Sequence, residues 1–65
     1  MCLSTIYKDE INKDKIIMKN VMRIDVIKEK IILTDLMDRK CEINGTLTQA
    51  NLVDGYAIVH LKEEQ

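Results

Sequence analysis

The chain has no proline, tryptophan or phenylalanine, and its 65 residues include only two glycines, two cysteines, two tyrosines and one histidine. These shortages exclude a good deal. There is no glycine-rich phosphate loop, and neither a GxSxG nor an HExxH pattern occurs. With the residue types of catalysis so scarce, the chain reads as something other than an enzyme. Two cysteines, one of them at position 2, do not make a disulfide framework of the secreted kind. No apolar run approaches the ~20 residues that span a bilayer. The start of the chain lacks the basic region and the apolar segment of a secretory signal. The expectation is a cytoplasmic protein with reduced thiols and no membrane contact. Charge of one sign is also missing. A formal net charge of −1 at pH 7 gives no basic footprint for nucleic acid.

What is present is apolar: 46% of the residues are hydrophobic, too many for a disordered segment. The length suits one domain over residues 1–65. A chain this short buries only ~60% of the surface its unfolded form exposes, so it needs a disulfide, a metal or a partner chain for a comfortable margin. With the disulfide framework set aside, metal or self-association remains.

The pattern is that of strands. From Cys2 to Tyr7 the chain alternates, Leu3, Thr5 and Tyr7 against Cys2, Ser4 and Ile6, and the polar block Lys8 to Asp14 reads as a turn. Lys15 to Met18 is a short apolar strand, with a break or bulge at Lys19-Asn20. Val21 to Ile27 has the clearest period of two, with Met22, Ile24 and Val26 on a buried face and Arg23 and Asp25 on the other. A helix from Ile16 to Met37 competes, but the β-branched residues and the Arg23/Asp25 alternation favour strand. The turn Lys28-Glu29-Lys30 leads into a returning strand, Ile31 to Leu36, and so makes a hairpin.

After the loop Met37 to Lys40 come the short run Cys41 to Ile43, a turn at Asn44-Gly45, and a further strand from Thr46 to Val53. Asp54-Gly55 then links that strand to Tyr56–Leu61 as a two-residue hairpin. Five to six short strands without a helix predict an all-β fold, a small antiparallel barrel of the SH3-like or OB-like kind. Exposed strand edges in so small a barrel invite a second copy, and a two-fold homodimer is the expectation.

Cys2 is the candidate with the most chemistry. The α-amine of Met1, the Met1-Cys2 peptide nitrogen and the thiolate can close fused five-membered chelate rings, a donor set that suits Ni(II) or Cu(II). Against this stands the reading that fits most free cysteines and that local chemistry alone favours, a small apolar residue opening a strand. Asp35 and Asp38 flank Leu36-Met37 as a conceivable carboxylate pair, although aspartates at turns are mostly solvated. His60, on the same side of its strand as Tyr56 and Ile58, is expected to be partly buried. Cys2, Cys41 and His60 together have metal-ligating chemistry, but no diagnostic spacing. Cys41, beside Arg39 and Lys40, is a reactive thiol only if exposed.

The Met1-Cys2 start running straight into a strand, the hairpin from Val26 to Leu36, its end in Ile32-Leu33-Thr34-Asp35-Leu36-Met37-Asp38, and the Asn44-Gly45 dipeptide resemble the CooT family. These are small nickel-binding accessory proteins of carbon monoxide dehydrogenase maturation. The resemblance implies an SH3-like barrel, a homodimer, and Ni(II) held through the cysteine that follows the initiator methionine, here Cys2, with Met1 beside it. It implies as partner a nickel enzyme or its maturation factors. The first turn, Lys8 to Asp14, departs from the pattern in having no glycine.

Two other functions fit a small barrel. One is RNA binding, which calls for stacking aromatics and a cationic groove; this chain offers Tyr7, Tyr56 and lysines interleaved with acids. The other is an adaptor whose free edge recruits a partner strand.

Overall fold

The computed structural model describes residues 3–62. Five strands form the fold: β1 (Ser4–Lys8), β2 (Ile16–Ile27), β3 (Lys30–Asp35), β4 (Lys40–Asn51) and β5 (Tyr56–Leu61). One 3-10 turn, Lys13–Lys15, precedes β2; Asn12 caps it by accepting a hydrogen bond from the Asp14 amide. The strands close into a barrel in chain order, and β1 meets β5 to complete it. All pairings are antiparallel except that last one, which is parallel. The all-β barrel expectation therefore holds, with five strands.

Closure is possible because β2 and β4, twelve residues each, serve two neighbours in succession. The first half of β2 pairs with β1, reaching Val21 opposite Ser4, and the second half pairs with β3 from Asp35 to Lys30. Between them the register shifts across Met22. An extra residue in one strand is a bulge, which bends that strand and sharpens its twist. Asn20, just before it, has φ 57°, a left-handed conformation that asparagine tolerates better than most residues. The expected break at Lys19-Asn20 is thus a bend within one continuous strand.

The bulge also corrects the buried face assigned to β2. Ile24 and Val26 do lie opposite Leu33 and Ile31 in the ladder, so the alternation has the right phase. Yet Met22 is displaced in the bulge and Val26 stands near the hairpin end, and both are exposed, while Val21 is buried.

In β4 the bend falls at Gly45, with residues 40–44 on β3 and residues 45–51 on β5. Asn44-Gly45 is consequently the middle of a strand and not the turn its composition suggests. Gly45 is there because of a close approach. A Cβ on it would lie 2.3 Å from the His60 carbonyl oxygen. Its amide donates to the Glu29 carbonyl, and the Lys62 amide donates to the Asn44 carbonyl, so the bend joins the β2–β3 turn and the end of β5. The two-residue hairpin expected at Asp54-Gly55 is a longer turn, residues 52–55, with Asn51 opposite Tyr56.

Inside sit Ile6, Val21, Ile31, Leu33, Ala57 and Val59, with Ile17, Met18, Ile24, Cys41, Ile43 and Leu61 half-buried around them. Full burial of an aliphatic side chain contributes about 2 kcal/mol. Few are fully buried, so the margin is small, as the length suggests. Strand edges were expected to be exposed, but each strand has two neighbours in the closed barrel. Free edges therefore give no ground for self-association.

Candidate functional site

Met1 and Cys2, the residues expected to bind nickel, lie outside the described residues. The structure does place the strand that carries them. Ser4 is registered opposite Val21, and the Thr5 amide donates to the Gly55 carbonyl at 3.0 Å. Gly55 has φ +80°, open to glycine without strain, and a Cβ there would come within 3.2 Å of the Leu3 carbonyl oxygen. The chain thus enters β1 between two connections: the loop after β3, whose Leu36 amide donates to the carbonyl of Asn20 beside Val21, and the turn after β4, which ends in Gly55.

Both connections are built by one polar side chain. In the β3–β4 loop, Asp35 is buried at 4% exposure. Its Oδ1 accepts from the Met37 and Arg39 amides at 2.9 Å each, and its Oδ2 accepts from Arg39 Nε at 2.9 Å. In the β4–β5 turn, Asn51 Oδ1 accepts from the Val53 and Asp54 amides at 3.1 and 2.9 Å, and its Nδ2 donates to Asp54 Oδ2 at 3.1 Å. An aspartate or asparagine that accepts amides two to four residues on stands in for backbone turn bonds. The expectation of a solvated aspartate at this turn does not hold for Asp35, which is the staple of its loop.

Asp35 and Asp38 do not form a carboxylate pair, since Asp38 is exposed and faces Lys40. Hydrogen bonds from the Arg39 backbone, and after them the Arg39 side chain and the Met37 amide, hold the Asp35 carboxyl below its ordinary value of 3.8 against the opposing effect of burial. A depressed carboxylate contributes stability that is complete above the ordinary value and is lost as pH falls through the folded one. Asp35→Asn is therefore expected to lower the melting temperature at neutral pH by roughly 10 °C. It is also expected to flatten the acid limb of a melting curve series below pH 4, and an unchanged acid limb would count against the staple.

The other candidates are not brought together. Cys41 is half-buried against the core, opposite Leu33. His60 does share a side with Tyr56 and Ile58, but it is exposed, not partly buried, and its Nδ1 lies 2.8 Å from Asp9 Oδ1. Hydrogen bonding to His60 is the main reason that the Asp9 carboxyl is held below its ordinary value. Glu29 pairs with Lys62 at the same end, beside an open hollow of about 370 Å³. Among the described residues no three histidine, cysteine, aspartate or glutamate side chains converge on a metal-sized site. Cys41 and His60 are thus not part of any such cluster among the described residues.

Tyr7 and Tyr56 meet edge to face across β1 and β5, ring centres 6.3 Å apart. Several basic side chains pair with acids, Arg23 with Asp25 and Lys30 with Glu42 among them. Among the described residues no helix is long and apolar enough to cross a membrane.

The comparisons with known proteins bear on the same features. A crystal structure of the CooT candidate from Carboxydothermus hydrogenoformans superposes with a TM-score of 0.80 over 95% of this chain and 100% of that one, at 14% identity. At that identity the likeness speaks for the fold. No curated protein matches the chain. The family model described as CO dehydrogenase accessory protein CooT matches residues 1–60, a span that takes in the Met-Cys start, the stapled loop after β3 and β5 up to His60. A match over nearly the whole chain, on a barrel of the same fold, means that this protein belongs to the CooT family.

Proposed function

We propose that the protein is a nickel-binding accessory protein, a metallochaperone or reservoir, that carries Ni(II) as cargo on the N-terminal cysteine in a cytoplasmic homodimer. The observation that carries this reading is the cysteine at position 2 of a chain that enters its first strand at Ser4. The amine, one peptide nitrogen and the thiolate of such a start form a compact nitrogen and sulfur donor set of the kind Ni(II) prefers. Two such arms in a dimer supply enough donors for one ion without any side chain from the barrel. The cysteine binds only as thiolate, so loading releases protons and weakens as pH falls. Membership of a family of CO dehydrogenase accessory proteins supports that enzyme system as the recipient, without a catalytic role for the barrel.

Native intact-mass spectrometry during a nickel titration tests this directly. The expected result is a dimer that takes up one Ni(II) and loses it on acidification. A protein that stays metal-free at stoichiometric nickel, or that binds several ions weakly without saturation, would end the metal reading.

A further inference from the structure

β1 is attached to the barrel differently from the other four strands. β2, β3, β4 and β5 form an antiparallel meander in which each strand pairs with the next one in the chain. β1 closes the barrel by lying parallel to β5, and parallel pairing is slightly less stable per residue. Its other ladder, with β2, shifts register twice within five residues, between Ser4 and Ile6 and again between Ile6 and Tyr7. Among the described residues it brings one side chain, Ile6, to the buried cluster; Val21, Ile31, Leu33, Ala57 and Val59 all belong to the meander.

Polar bonds hold both ends of β1. At its start the Thr5 amide donates to the Gly55 carbonyl at 3.0 Å, and just past its end the Asp9 amide donates to the Val59 carbonyl at 2.8 Å. The Asp9 carboxylate accepts from Nδ1 of His60, the next residue of β5, at 2.8 Å. One residue thus grips two successive residues of β5. Asp9 does so at φ 70°, a left-handed conformation that is costly for any residue with a Cβ. That strain is relieved when the grip lets go. Its side chains are also in reach of water, Asp9 at 43% and His60 at 65% exposure. Segments with few buried apolar contacts and exposed hydrogen bonds are the ones that open locally.

We propose that β1 is a strap that opens as a unit while the β2–β5 meander stays folded, with the Asp9–His60 bond as its latch. The start of the chain is continuous with β1, so release of the strap also releases the arm that precedes it. On the nickel reading above, on which this consequence rests, strap opening is the movement that frees the cysteine arm to hand over its ion. The opening itself needs no metal.

Native-state hydrogen exchange of the metal-free protein, read by NMR at fixed pH in low concentrations of urea, tests this. Corrected for intrinsic rates, the Thr5 and Asp9 amides are expected to exchange alike, and at least about 10-fold faster than those of Ile31 and Leu33. Their rates should depend only weakly on urea, because lifting one strand exposes little surface. Ile43→Val, a change in packing that persists when β1 lifts, should speed Ile31 and Leu33 about threefold and leave Thr5 and Asp9 unchanged. His60→Ala should speed all four amides about threefold, since both the local and the global opening break the latch. If Thr5 and Asp9 share the rate and urea dependence of Ile31 and Leu33, or if Ile43→Val speeds all four, β1 leaves only with the whole barrel and the strap is wrong. If His60→Ala leaves Thr5 and Asp9 unchanged, the latch is wrong. No nickel is present in these measurements, so failure of the strap and failure of the metal reading are distinguishable.

Discussion

Gly45→Ala is expected to unfold most of the protein at temperatures where the wild type is intact. The added Cβ would stand 2.3 Å from the His60 carbonyl oxygen, 3.0 Å from Leu61 Cα and 3.1 Å from the His60 carbonyl carbon. All three are backbone atoms of β5, held in the ladder where Gly45 faces Leu61 and Thr46 faces His60. No side-chain rotation relieves such a clash, so β4 and β5 must separate at the bend. The bonds nearest it, from the Gly45 amide to Glu29 and from the Lys62 amide to Asn44, would be strained together. A cost of about 3 kcal/mol is at the upper end for overpacking, and it is a large share of what a small domain has. Thermal unfolding followed by circular dichroism should show a fall of roughly 15 °C or more. A shift within about 3 °C would mean that β4 and β5 are farther apart at the bend than described.

That residue also shows why some of the architecture was legible in the sequence and some was not. Asn-Gly is a common turn dipeptide because both residues tolerate positive φ. Here the glycine is chosen for its missing Cβ, a requirement set by β5, fifteen or so residues away in the chain and invisible to any local pattern. Tyr56–Leu61 could be read because both its reach and its alternation are local; Ala57 and Val59 point inward and His60 outward as period two demands. The phase of β2 could be read as well. Its bulge could not, and so period two points Met22 and Val26 at a core they do not enter. Asp35 marks the other limit. A carboxylate at a turn looks solvated until the amides of Met37 and Arg39 are seen to converge on it. The donor set proposed at the chain's start makes no such demand on the fold: amine, peptide nitrogen and thiol are adjacent by covalent structure.

Cys2→Ser is the substitution expected to change function most. Replacing the thiol with a hydroxyl removes the one soft, anionic donor of the terminal set, since a serine hydroxyl does not ionise near neutral pH as a metal-bound thiol does. Stoichiometric Ni(II) binding and the accompanying sulfur-to-nickel charge-transfer absorbance should both disappear. The barrel should not notice, because the first described hydrogen bond of β1 in its turn contacts comes from Thr5 and residues at a chain end carry little packing. An unchanged melting temperature is therefore part of the expected result. Cys41→Ser and His60→Ala should bind nickel close to wild type, as Cys41 packs on the core and His60 is engaged with Asp9. If Cys2→Ser loads nickel normally while either of the other two does not, the terminal chelate is wrong and the ion is held in the barrel. If all three load alike, the metal is adventitious, and a binding role for RNA or a partner protein takes its place.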